Sequence, residues 1–157
     1  MAEYSAQSAG VAFGGEGFTE SIFVLCIFGM TFASHSNCRA LSPHQRNLTD
    51  EMIKILADKG GVSGINFGPE FLNADVTCKD STNELIVKHI KHFINVGGTD
   101  CVGLGSDFDG IGGNLEVGSS DKVPMIWDLL HKEGISDDVI EKIAWKNHFR
   151  VIKEAMK

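Results

Sequence analysis

The chain reads as an α/β fold on a parallel sheet, open or closed into a barrel, with polar residues gathered at the strand ends. Three observations predict this. Met30-Thr31-Phe32-Ala33 is a short apolar run that stops in Ser34-His35-Ser36-Asn37. Cys101-Val102-Gly103-Leu104 does the same, stopping in Gly105-Ser106-Asp107-Phe108-Asp109-Gly110. Between and after these runs, apolar residues return at helical spacing, so strands alternate with helices. Such alternation gives parallel strands joined by right-handed crossovers, with sites at their C-terminal ends.

Taken in order, residues 1–21 are rich in Ala, Ser and Gly, have no period, and are expected as loop. Ile22 to Ala33 is the one long apolar run, with a strand at about 29–33. It is too short for a membrane span of about 20 residues. Glu3, Glu16 and Glu20 also make its flank acidic, where a signal peptide is basic. Thr49 is the expected N-cap of a helix with Asp50 and Glu51 in its first turn, Met52, Ile53, Leu56 and Ala57 on its apolar face, and Gly60 beyond its end. Gly61 to Phe67 reads as a strand broken by Pro69.

Ser81-Thr82-Asn83-Glu84 has the capping-box form. The helix after it runs to about Val96, with Leu85, Ile86, His89, Ile90, Phe93 and Ile94 inward, and stops at Gly97-Gly98. Beyond the Gly-rich loop 110–118, one helix spans about Val123 to Lys132 and stops at Gly134. Another is capped by Ser136 and runs to the end, with Val139, Ile143, Phe149 and Ile152 inward.

The 157 residues are 43% hydrophobic, enough for the core of one domain. A net charge of −7 without a basic run argues against a nucleic-acid partner, which needs clustered Lys and Arg. Cys26, Cys38, Cys78 and Cys101 form no C-x-x-C pair and are too sparse for a disulfide scaffold. They are expected as reduced thiols, which favours a cytoplasmic location.

Three residues stand out as chemistry. A lone histidine is more often structural than a ligand, but His35 follows a strand, where parallel folds place their sites, and imidazole is the commonest metal ligand. Asp107 lies at a strand tip, where a carboxylate accepts a proton from a bound water or grips an ammonium group. Asp109, two residues on, shares its side if the strand continues, although Asp109-Gly110 also suits a turn. Arg46 is either a solvated loop residue or a bidentate grip on a carboxylate. His44 shares its loop. His89, His92, His131 and His148 fall on helices and are expected to be structural or solvent-facing, and Trp127 and Trp145 to pack.

Ser34-His35-Ser36-Asn37-Cys38-Arg39-Ala40 and His44-Gln45-Arg46-Asn47-Leu48-Thr49-Asp50-Glu51 resemble the renal (membrane) dipeptidase family, peptidase family M19. Gly60-Gly61-Val62-Ser63-Gly64-Ile65-Asn66-Phe67, the stretch from Val102 to Gly110, and Asn147-His148-Phe149-Arg150-Val151 continue the resemblance in order. It implies a (β/α)₈ barrel of the metal-dependent amidohydrolase type that cleaves dipeptides, using two zinc ions bridged by a glutamate and a water. Carried over, His35 matches the last metal-ligating histidine. Arg46 matches the arginine that holds the substrate's terminal carboxylate. Asp107 matches the aspartate that handles the proton on the attacking water.

The family's early H-x-D pair, bridging glutamate and first later histidine find no counterpart, and no H-x-D occurs in the chain. The resemblance therefore implies a partial barrel: residues 30–157 as its C-terminal half with about three strands, and 1–29 as a divergent segment. Such a piece is expected to have an uncovered inner face and two open sheet edges, which invite self-association. The implied function is zinc-dependent dipeptide hydrolysis. The alternative is a non-catalytic barrel piece that associates with another chain.

Overall fold

Short β-branched and apolar segments set the strands, and the computed structural model describes residues 24–27 and 30–157. The loop expected over 1–21 lies outside the described residues. Strands β1 (Val24–Ile27), β2 (Met30–Ala33), β3 (Val62–Asn66), β4 (Asp80–Ser81), β5 (Val102–Ser106) and β6 (Asn114–Leu115) form two sheets. The main sheet has the order β1-β2-β3-β5, and β4 pairs with β6. As expected, β2, β3 and β5 run parallel. β1 does not: it pairs antiparallel with β2, from Val24 opposite Ala33 to Ile27 opposite Met30. Only two residues join these strands, enough for a hairpin but far too few for a parallel crossover. The sheet therefore ends in β1 on one side and β5 on the other.

Helix α1 (Asp50–Asp58) starts at Thr49, whose side chain accepts the Met52 N–H at 3.2 Å. Gly60 follows its end with φ +65°, a conformation glycine adopts freely. Pro69 opens the short helix α2 (Pro69–Leu72), where its missing N–H costs nothing. Helix α3 (Asn83–Gly97) begins one residue later than the capping-box pattern predicts. Thr82 is the cap, accepting from Leu85 N–H. Ser81 is drawn into β4 by pairing with Leu115. Glu84 stays exposed, and the Asn83 N–H donates to Glu116 from the β6 loop at 2.8 Å. A two-residue strand pair leaves no periodic signal, and loop 110–118 hid it.

Ile65 and Val102 turn one face of the sheet toward Ile53 and Leu56 of α1 and Ile86, Ile90 and Phe93 of α3, forming one core with Ile126 and Leu130 of helix α4 (Pro124–Lys132). Each such side chain contributes about 1.5–3 kcal/mol by leaving water. The inner face, expected to be uncovered, is partly filled. The His148 ring lies over Gly103, 2.3 Å from where a Cβ would stand, and meets the Phe32 ring edge-on at 5.5 Å.

Past α5 (Asp137–Glu141), Lys142–Lys146 forms a π-turn before α6 (Asn147–Ala155). Ser136 stands at the N-cap position of α5 but makes no side-chain cap bond. The π-turn corrects the expected inner face. A wider turn carries an extra residue, so the buried positions are Ile140, Ile143, Asn147 and Val151. Phe149 and Ile152 face outward, as does Trp145, while Trp127 packs as expected. Among the described residues, no helix is long and apolar enough to cross a membrane.

His89 is fully buried and structural. Its Nδ1 accepts the Cys38 N–H, and its Nε2–H donates to the Leu72 carbonyl, each at 3.1 Å. Burial dominates and holds its pKa down to about 4. The Leu72 carbonyl opposes this, while His92 and Lys88 add to it. Burial likewise lowers His148, pushes the Cys101 thiol up to about 11, and raises Cys38 further. Cys38, Cys78 and Cys101 are free thiols.

Two outcomes check this packing. Ile143→Ala is expected to cost about 2–5 kcal/mol in urea denaturation, against roughly 0.5 or less for Ile152→Ala. Equal costs would refute the assigned face. The folded chain resists a proton that unfolded imidazole accepts at its ordinary pKa of 6.5. The His89 contribution is thus complete above that pH and falls away toward pH 4, by roughly 3 kcal/mol at most. His89→Gln should flatten that slope, and an unchanged slope would assign it to other groups.

Candidate active site

His35 and Arg46, from the connection between β2 and α1, meet Asp107, which follows β5, at the C-terminal ends of the parallel strands. The backbone of Ser34 and His35 turns across the sheet instead of continuing along it. It passes so closely that a Cβ at Gly64 or Gly105 would stand 2.3 Å from the Ser34 carbonyl oxygen. Two glycines in adjacent strands make room for this crossing.

The imidazole is fixed at both nitrogens. Nδ1 lies 2.6 Å from Ser34 Oγ, and Nε2 lies 2.7 Å from Arg46 Nη2. A guanidinium has only donors, so Nε2 must accept, and Nδ1 carries the proton and donates to the serine. The ring thus presents the Nε2 lone pair to the site. Arg46 in turn lies over the Phe71 ring at 4.9 Å, a cation–π contact that steadies its plane. Among the described residues, Nη2 is the one guanidinium nitrogen with a hydrogen-bond partner, which leaves the other two for a ligand. His44, in the same loop, packs edge-on against Phe71 at 4.6 Å and accepts the Arg46 backbone N–H. It shapes the loop from outside the trio.

Asp107 is held in an unusual backbone state. A bulge between Ile65 and Asn66 shifts the pairing so that Asn66 stands opposite Ser106. Ser106 and Asp107 then take φ of +31° and +67°, a conformation costing about 1–3 kcal/mol in non-glycine residues. The result places Asp107 Oδ2 3.9 Å from His35 Nε2, with both side chains about a quarter exposed. Oδ1 folds over the turn, 2.6 Å from where a Gly110 Cβ would stand. The expectation that Asp109 shares the side of Asp107 fails. The strand has ended, and Asp109 is an exposed turn residue.

Sequence reasoning assigned no role to Asn66, which binds Asp107. Its Nδ2 donates to Asp107 Oδ2 at 3.0 Å while its Oδ1 accepts the Gly68 N–H at 2.7 Å, so the amide orientation is fixed. Two further buried asparagines complete the support. Asn37 Oδ1 accepts the Asn66 N–H, and its Nδ2 donates to the Asn66 and Phe71 carbonyls. Asn47 donates to the Ser42 and Phe71 carbonyls and accepts the Asn37 N–H. The one available signal was a polar residue inside Ile65-Asn66-Phe67, at a strand end.

Among the described residues, no three of His, Cys, Asp and Glu gather as metal donors. His35 and Asp107 are two, and an open catalytic zinc site normally takes three protein ligands. These residues do not fit a two-zinc centre. A separate cleft of about 490 Å³ lies at the opposite strand ends, lined in part by Gly61, Asp100, Lys142 and Arg150. Arg150 there donates to the Gly60 and Asp100 carbonyls, a structural task at the face remote from chemistry.

Comparison with known proteins bears on this arrangement. An uncharacterized protein in the pqqA 5′ region of Klebsiella pneumoniae is 46% identical over 123 residues, 77% of this chain and 45% of that protein. Dipeptidase tcpJ of Claviceps purpurea is 38% identical over 77% of this chain and 28% of its own length. The chain thus spans less than half of each of these relatives. Among solved structures, the metallopeptidase dipeptidase AC matches with a TM-score of 0.73 at 29% identity, over 79% of this chain and 36% of that one. A Rhodobacter sphaeroides metallopeptidase, solved with a phosphinate mimic of the dipeptide L-Ala-D-Ala, matches at 0.72 and 29%, over 78% and 35%. The family model described as membrane dipeptidase matches residues 31–157, and on that match the chain belongs to the membrane dipeptidase family, peptidase family M19.

Proposed function

We propose that this chain carries the carboxylate-binding and proton-handling part of a zinc-dependent dipeptidase site. The observation that carries the reading is the convergence of Arg46 and Asp107 on His35 Nε2, at 2.7 and 3.9 Å. Dipeptidase relatives and metallopeptidase neighbours support it, and they do not favour a non-catalytic piece. The same reading takes residues 30–157 as the C-terminal half of a (β/α)₈ barrel, with 1–29 as a divergent segment. It places the chain in a reducing, cytoplasmic compartment, in keeping with three free thiols.

Arg46 takes the terminal carboxylate of a dipeptide. Its fork matches two oxygens, and the Phe71 ring beneath it limits the directions it can point. Asp107 Oδ2, steadied by Asn66, accepts a proton from the attacking water and returns it to the leaving amine. To hold a zinc ion, His35 would free the Nε2 lone pair that Arg46 Nη2 now engages. When bound, zinc polarises the scissile carbonyl and lowers the pKa of a water. The described residues do not complete that ion's shell, so a working centre draws its other donors from elsewhere.

Carboxylate recognition is testable by titrating a dipeptide and its C-terminal amide into the chain and following NMR shifts. Arg46→Lys is expected to weaken the acid by about 10–100-fold, because a point charge replaces the fork. The amide should bind the native chain no better than the variant. Equal affinity of the native chain for acid and amide would remove Arg46 from the role. Where other donors complete the zinc shell, amino-acid release should disappear in Asp107→Asn while acid binding stays. Equal rates in both would remove Asp107 from the chemistry.

A further inference from the structure

Arg46 stands in a loop, yet the chain on both sides of it is held. The loop is closed at its base by a bridge between Cys38 and Leu48. There the Leu48 N–H donates to the Asn37 carbonyl at 2.8 Å, and the Arg39 N–H to the Leu48 carbonyl at 2.7 Å. Asn37, Cys38 and Leu48 are buried, and the Cys38 N–H is bonded to the buried His89 ring, so the base is rigid. From it the Arg39 side chain reaches across the loop. Its Nε donates to the Asn47 carbonyl at 2.8 Å and its Nη2 to the Gln45 carbonyl at 2.5 Å. Those residues directly precede and follow Arg46 in the chain. The Arg46 N–H donates in turn to His44 Nδ1 at 3.2 Å.

We propose that Arg39 is a positioning residue for carboxylate recognition. It braces the backbone on either side of Arg46, so that the Arg46 guanidinium is aimed before a ligand arrives. The proposal rests on the dipeptidase reading above, in which Arg46 takes the terminal carboxylate. The planar fork of one arginine suits this task, because two of its donors meet two carbonyls at a fixed separation in charge-assisted bonds. A loop that is ordered only on binding subtracts that entropy from affinity, and a loop already ordered does not. Arg39 spends these donors on main-chain carbonyls, so it acts through Arg46 and not on the carboxylate. Lysine in its place could reach one carbonyl at a time, and alanine neither.

The test is NMR titration of a dipeptide and its C-terminal amide into the native chain, Arg39→Ala, Arg39→Lys, Arg46→Lys and the Arg39→Ala, Arg46→Lys double variant. Arg39→Ala is expected to weaken the acid about ten-fold, the equivalent of one charge-assisted hydrogen bond, and to leave the amide unchanged. Arg39→Lys should recover part of that loss, and it carries the same comparison where Arg39→Ala does not fold. On top of Arg46→Lys, Arg39→Ala should cost less than about two-fold more, because residues that act as one unit are not additive. A second readout needs no ligand: the heteronuclear NOE of Arg46 Nε should fall in Arg39→Ala as the side chain gains motion. Acid binding unchanged in both Arg39 variants would overturn the proposal. So would an equal loss for acid and amide, which marks a purely structural role. Full multiplication of the two losses in the double variant would overturn it as well, by placing Arg39 on the carboxylate itself. Where the native chain takes acid and amide equally, the dipeptidase reading fails instead, and the Arg46 NOE then decides whether Arg39 orders Arg46.

Discussion

Three buried asparagines tie the loops of the site to the ends of the strands. Asn37, Asn47 and Asn66 are 0, 0 and 1% exposed, and their amides bond one another's backbone and the Phe71 and Ser42 carbonyls. A buried amide that loses its partners costs about 1–3 kcal/mol, so the network stays whole or fails together. Each site residue hangs from one member. His35 is two positions from Asn37, Arg46 is bonded to Asn47 along the chain, and Asp107 is gripped by Asn66 itself. The rigidity that aligns an imidazole, a guanidinium and a carboxylate thus comes from neutral groups that take no part in the chemistry.

Absent side chains do comparable work. Gly64 and Gly105 let the segment at His35 lie directly on the sheet, and Gly110 leaves space for one Asp107 oxygen. The strained backbone at Ser106 and Asp107 is tolerated because hydrogen bonds surround it. The Ser106 carbonyl accepts from Phe67 N–H, and the Asp107 carbonyl from Gly110 N–H. Strain held in this way keeps the carboxylate aimed before any ligand arrives.

The parallel strands, the helices α1, α3 and α4, and the strand-end positions of His35 and Asp107 were legible in the sequence, because apolar period and strand ends are local signals. What it hid depends on distant partners. The antiparallel β1 differs from a parallel lead-in only by what it pairs with. Ser81 looks like a cap until β6 claims it. Asn37, Asn47 and Asn66 carry no period, so their shared task shows only once three segments are brought together. The outward turn of Phe149 and Ile152 follows from one wide turn that composition does not announce.

That wide turn has a consequence for how the chain can vary. An α-helix cannot gain or lose one residue without rotating all that follows by about 100°, which here would turn Val151 out of the core. The surplus residue within Lys142–Lys146 is already looped into the backbone spiral. Dropping it would tighten the spiral and leave both flanking helices facing as they do now. The stretch is therefore a length buffer, the place in the terminal helical run where a single-codon deletion leaves the architecture standing.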